Sequence, residues 1–95
     1  MVEHGSLERR RVLYTGNVQG VGFRFTTHRI AQGFAITGFV RNLSNGSVEL
    51  VAEGSAAELD RFLGNVASTM ADLIVDAQIQ KQPSRGEFQA FVIAY

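Results

Sequence analysis

Three glycines in one short stretch, Gly16, Gly20 and Gly22, constrain what this chain can fold into more than any other feature. They sit in Gly16-Asn17-Val18-Gln19-Gly20-Val21-Gly22-Phe23-Arg24, after the apolar run Val12-Leu13-Tyr14 and before a helix-compatible segment starting near Phe25. A strand feeding a glycine-rich turn and then a helix aims several backbone N–H groups at one point. Arg24 adds a planar, permanently charged fork suited to phosphate oxygens. No Asp or Glu lies between Glu8 and Glu49, so nothing acidic in that interval competes with an anion. The pattern suggests an oxyanion pocket. A glycine turn alone is equally compatible with a tight structural turn, and this one has neither the Lys-Ser/Thr ending of a nucleotide P-loop nor G-x-G-x-x-G spacing.

The rest of the chain predicts six elements and a terminal extra. A strand from about Arg10 to Asn17 enters the turn, beside the charge run Glu8-Arg9-Arg10-Arg11, which reads as a solvated strand entry or, less simply, a basic rim for an anion. A short helix over Phe25 to Gln32 places Phe25, Ile30 and Ala31 on one face, with Gly33 as its cap. Phe34 to Leu43 reads as a strand with a close backbone contact or bulge at Gly38. Ser44-Asn45-Gly46-Ser47 has the composition of a tight hairpin turn, with positive φ tolerated at both central residues. The strand after it alternates, placing Val48, Leu50 and Ala52 toward the core and Glu49, Val51 and Glu53 away from it.

Ser55 and Glu58 form a capping-box pattern at the start of a second helix, whose stripe Leu59, Phe62, Leu63, Val66 and Met70 is a core face. A fourth strand covers Asp76 to Gln82, and Phe88 to Tyr95 is a last extended segment. The order strand, helix, strand, strand, helix, strand predicts an α+β, ferredoxin-like βαββαβ sandwich. It consists of a four-stranded antiparallel sheet, plus a short terminal strand, with two helices on one face.

Composition narrows the function classes. The 95 residues suffice for one domain, taken as 9–95 behind a flexible tail at 1–8. With no cysteine, neither disulfides nor a thiolate metal site exists. The two histidines, His4 and His28, are far apart, which argues against structural zinc. A net charge of zero argues against a nucleic-acid partner, and no apolar run is long enough for a membrane span. The expectation is a cytoplasmic monomer.

Asn42 closes the strand segment Gly38-Phe39-Val40-Arg41-Asn42, and because its amide both donates and accepts it can hold a water and the substrate's oxygens together. It can equally serve as a turn-flanking residue. Arg41 points to the opposite face by alternation and reads as a surface charge.

These two segments carry a resemblance. Gly16 to Arg24 resembles the phosphate-loop signature of acylphosphatases, and Gly38 to Val48, followed by Glu53-Gly54, is similar to the family's second signature. With the shared element order, the similarity covers roughly 10–93. The resemblance implies metal-free and cofactor-free hydrolysis of a small acyl phosphate to a carboxylate and inorganic phosphate. Carried over by position, Arg24 binds the phosphoryl group with the backbone N–H groups of Gln19, Gly20, Val21, Gly22 and Phe23, and Asn42 orients the attacking water. No base is evident in the motif, which fits the family's account of a water activated with help from the substrate's own phosphate.

Two segments depart from the family pattern, Met70-Ala71-Asp72-Leu73-Ile74 after the second helix and Gln32-Gly33-Phe34-Ala35-Ile36. Both lie outside the signatures. The alternative is a non-catalytic, anion-sensing or regulatory module of the same fold. An RNA-recognition domain would need exposed aromatics with basic neighbours on the central strands, and Val48 to Glu53 offers neither. A domain embedded in a larger carbamoyl-phosphate enzyme is set aside in favour of a stand-alone protein.

Overall fold

In the computed structural model, which describes residues 7–95, the elements follow as β1 (Leu7–Gly16), α1 (Phe23–Ala31), β2 (Ile36–Asn42), β3 (Val48–Ser55), α2 (Ala56–Thr69), β4 (Ile74–Pro83) and β5 (Phe91–Ile93). The first six residues of the expected tail lie outside the described residues, while Leu7 and Glu8 already belong to β1. The sheet runs β4-β1-β3-β2-β5. Its first four strands pair antiparallel, and β5 joins β2 in parallel, Gly38 to Val40 opposite Phe91 to Ile93. This is the α+β sandwich predicted from the element order, with the terminal segment recruited as a fifth strand.

Strand β3 lies at the centre and is buried along most of its length. Its alternation works as expected: Val48, Leu50 and Ala52 join Val12, Tyr14 and Val40 in the core beneath both helices. From α2, Leu59, Phe62, Leu63 and Val66 fill that core, with Met70 behind them, so the apolar stripe packs as its spacing requires. At Gly38 a Cβ would meet the Val51 carbonyl at 1.9 Å, which explains a glycine inside β2 as a point of close backbone approach.

Several local expectations change. Helix α1 begins at Phe23, not Phe25, and buries Phe23, Thr27 and Ala31 at a spacing of four. Phe25 is two residues out of phase with that stripe and is 64% exposed. In the β2–β3 turn only Gly46 has positive φ. Asn45 contributes through its side chain instead, its Oδ1 accepting from the Ser47 N–H at 3.0 Å. At α2, Ser55 accepts from the Glu58 N–H, but Glu58 does not reach back to close a capping box. Its carboxylate accepts from the Ala35 N–H at 2.8 Å and pairs with Arg61.

The arginine run is neither a solvated entry nor an anion rim. Arg10 is 4% exposed and bonds Glu8 and Asp60, the latter at 2.8 Å. On the opposite face Arg9 bonds Glu53 and Glu87, and Arg11 and Arg41 both bond Glu49 at 2.6 Å. Because β1 is flanked on both sides, its guanidinium groups can be covered only if carboxylates pair with them. Glu53 also accepts from Ser84 and from the N–H groups of Arg85 and Gly86, tying down the loop after β4.

Burial alone would raise the pKa of both central carboxyls. The partners outweigh it: the Arg11 and Arg41 bonds lower Glu49, and the loop N–H groups, Ser84 and Arg9 lower Glu53. A carboxyl lowered on folding adds stability that is complete above its ordinary value of 4.5 and is lost as the pH falls from there through the folded value. Urea melts should therefore hold a steady midpoint near neutrality and lose it below about pH 4.5. Glu49→Gln should start roughly 1 kcal/mol less stable at neutral pH and show a shallower acid limb. An unchanged acid limb in that variant would contradict the assignment.

Candidate active site

The site is assembled where β1 ends, α1 begins and β2 ends. Tyr14 on β1 and Asn42 on β2 both lie opposite the same β3 residue, Val48. The ends of the two strands are thereby held level, one on each side of a shared partner. Asn42 follows Ile36, Gly38 and Val40 on the core-facing side of β2, the side that carries the helices. Arg41 points the other way, to Glu49, as alternation requires.

The turn between β1 and α1 is anchored at both ends. Val18 is buried, and Phe23 packs against Tyr14 with ring centroids 5.2 Å apart. Between them Gly20 and Gly22 adopt φ of 75° and 79°, a left-handed backbone that other residues rarely occupy. Gly22 stands at the N-cap of α1 without any side-chain cap, and the first turn holds no acidic residue. The backbone N–H groups of residues 20–25 donate to no described backbone carbonyl. A helix N-terminus left this way is an anion site in waiting, because the N–H groups converge and the helix dipole favours negative charge.

A cavity of about 210 Å³ opens over these groups. It is lined by Val18, Gly20, Gly22, Phe23, Arg24, Phe25, Asn42, Ile93 and Tyr95. The fold therefore brings Arg24, Asn42, Gly20, Gly22 and Phe23 to one place, from motifs separated in the chain. Gln19 and Val21 do not line the cavity, and Val21 presents its side chain to the surface.

Two electrostatic features mark the cavity. Arg24, like Arg29 and Arg85, makes no salt bridge among the described residues, and of these three it is the one that lines the cavity. Its guanidinium lies instead over the Tyr95 ring, 4.9 Å from the centroid, a contact that leaves the N–H edges free. The second feature is an unmet acceptor. Asn42 Oδ1 is buried without a hydrogen-bond partner, one of two such side-chain atoms among the described residues with Thr27 Oγ1. Among the described residues no group of three His, Asp or Glu side chains is placed to hold a metal ion.

Gln19 acts through its side chain. Its Nε2 donates to the carbonyls of Leu43 and Ser47, both at 2.8 Å. This amide ties the glycine turn to the β2–β3 hairpin immediately after Asn42. Its partners are 24 and 28 residues away, so no local sequence signal marks the contact. Tyr95 and Ile93 were likewise not candidates in the sequence, because only the parallel pairing of β5 with β2 carries the last segment to the cavity.

The sequence profile of the Acylphosphatase family matches residues 10–93. An acylphosphatase of Paenarthrobacter aurescens is 46% identical over 80 residues, covering 83% of this chain and 85% of that one. An acylphosphatase of Archaeoglobus fulgidus is 38% identical over 84 residues, covering 88% and 94%. The crystal structure of acylphosphatase from Bacillus subtilis superposes with a TM-score of 0.83 at 29% identity, covering 93% of this chain and 99% of that one.

The Gln19 staple yields a test of the anion site. Removing it in Gln19→Ala should weaken binding of inorganic phosphate several-fold, on the order of 1 kcal/mol for the lost bonds. Gln19→Glu should be worse despite equal size, since an acceptor-only carboxylate would face two carbonyl oxygens. Calorimetric titration with phosphate measures both. Wild-type affinity in the two variants would show that the hairpin holds the turn without the amide.

Proposed function

Because this chain belongs to the acylphosphatase family, we propose that its cavity hydrolyses acyl phosphates, carboxyl-phosphate anhydrides, to a carboxylate and inorganic phosphate, with Arg24 and Asn42 in distinct roles. The phosphoryl group sits on the N-terminus of α1, its oxygens taking the N–H edges of Arg24 and the backbone N–H groups of Gly20, Gly22 and Phe23, the members of the expected set that line the cavity. Asn42 holds the attacking water. The single observation that carries this division is the buried, unpartnered Oδ1 of Asn42 in the same cavity as an arginine without a carboxylate partner. A buried acceptor without a partner calls for a donor, and a water O–H supplies one.

The chemistry follows from those positions. Water held by the Asn42 oxygen keeps a lone pair directed at phosphorus. As the new P–O bond forms, the bond from phosphorus to the acyl oxygen breaks and the electron pair leaves with the carboxylate. A carboxylate with an ordinary pKa near 4 is stable at neutral pH and needs no proton from the protein. The water's proton passes to a phosphoryl oxygen of the substrate, in keeping with a cavity whose lining includes no Asp, Glu or His. What the protein supplies is position and charge stabilisation, the main requirements of phosphoryl transfer.

The two roles separate experimentally. Arg24→Lys keeps the charge but loses the bidentate fork, and most of the activity should go with it. Wild-type turnover of benzoyl phosphate by that variant would sink the assignment. Asn42→Ala should lose roughly 2–4 kcal/mol of transition-state stabilisation, read as a fall in kcat of about 30-fold to 1,000-fold. Inhibition by inorganic phosphate should persist in Asn42→Ala. If inhibition vanished while turnover continued, the roles would be reversed. A non-catalytic anion sensor would bind phosphate but consume no acyl phosphate.

A further inference from the structure

We propose that Phe25, Ile93 and Tyr95 form a binding wall for the acyl group, and that the enzyme selects acyl phosphates whose acyl part is aromatic or large and apolar. The inference rests on the placement of the phosphoryl group at Arg24 and the α1 N-terminus and extends it to the other half of the substrate.

The cavity lining is of two kinds. It carries the left-handed glycines and Arg24, and beside them the apolar side chains of Phe25, Ile93 and Tyr95. An acyl phosphate likewise joins an anionic group to an acyl group. With its phosphoryl group on Arg24, the acyl part projects past the guanidinium, where the Tyr95 ring stands 4.9 Å from it and Phe25 is the next residue in the chain.

Phe25 and Tyr95 are also the aromatic residues with most unclaimed surface. Tyr95 is 97% exposed and Phe25 is 64% exposed. Tyr14, Phe23, Phe34, Phe39, Phe62, Phe88 and Phe91 each pack against another aromatic ring, and neither Phe25 nor Tyr95 does. Singly scattered apolar residues on a surface need no explanation, but two exposed rings flanking one anion cavity form a patch. The helix phase produces it: α1 starts at Phe23, which turns Phe25 away from the core and toward the cavity mouth.

The test compares the specificity ratio, kcat/KM for benzoyl phosphate over kcat/KM for acetyl phosphate, in the wild type, Phe25→Ala and Tyr95→Ala. Both side chains are exposed, so the variants should fold. Losing a ring that contacts the acyl group should lower the ratio on the order of tenfold, the usual scale for an apolar specificity contact. Phe25→Trp, which keeps an aromatic face, should restore it. A fall of about fivefold or more in both alanine variants supports the acyl wall. A smaller change in either, or equal proportional losses for the two substrates, overturns it. Arg24→Lys in the same assays keeps the underlying reading separate. If that variant retained turnover, the phosphoryl placement would fail, whereas the ratio in the Phe25 and Tyr95 variants would still decide the acyl wall.

Discussion

The geometry of the cavity depends on the register of β3 against both of its neighbours. Val48 is opposite Tyr14 on one side and Asn42 on the other, so a single buried residue sets the level at which the glycine turn and the Asn42 strand end meet. A slip of β2 by one residue would move that strand by about 3.3 Å and turn Asn42 to the opposite face of the sheet. That slip is disfavoured by the core, because the same shift would turn Val40 out of the core and Arg41 into it. The site thus inherits its precision from the alternation of β2 and from its register against β3, a strand that contributes no residue to the cavity.

Charge is distributed to match. On the open face of the sheet, Arg9, Arg11 and Arg41 are matched by Glu49, Glu53 and Glu87, so a charged surface is held with its partners in place. At the cavity the balance is deliberately incomplete: Arg24 has an aromatic face and no carboxylate. A guanidinium already paired with a carboxylate would have to give up that partner before meeting phosphate, at a cost in binding. The uninterrupted absence of Asp and Glu from residue 9 to residue 48 keeps local competitors away from the loop.

Much of this was legible in the chain. The apolar alternation of β3, the stripe of α2 and the turn residues of the hairpin gave the element order, and two separated signatures pointed to Arg24 and Asn42. What escaped was of two kinds. Phase errors of two residues at the start of α1 exchanged Phe25 for Phe23 in the core, because a glycine N-cap leaves no side-chain signature of its own. Long-range pairings left no local trace at all. Arg9 and Arg10 find carboxylates in distant segments, Glu58 reaches Ala35 across the loop before β2, and Gln19 finds carbonyls of the hairpin.

By itself, the sequence determined the apolar faces of β3 and α2, the left-handed glycines of the turn before α1, and the chemical kinds of side chain on hand. Those are consequences of individual residues and of short-range periodicity. Only the tertiary structure decided what those kinds would meet. The pairing of β3 with both β1 and β2 brought Asn42 to the glycine turn, the parallel addition of β5 brought Tyr95 over Arg24, and the Gln19 amide bound loop to hairpin. The reason is physical. Contacts between residues far apart in the chain are selected by the burial of the whole core, and no short stretch of sequence contains that term.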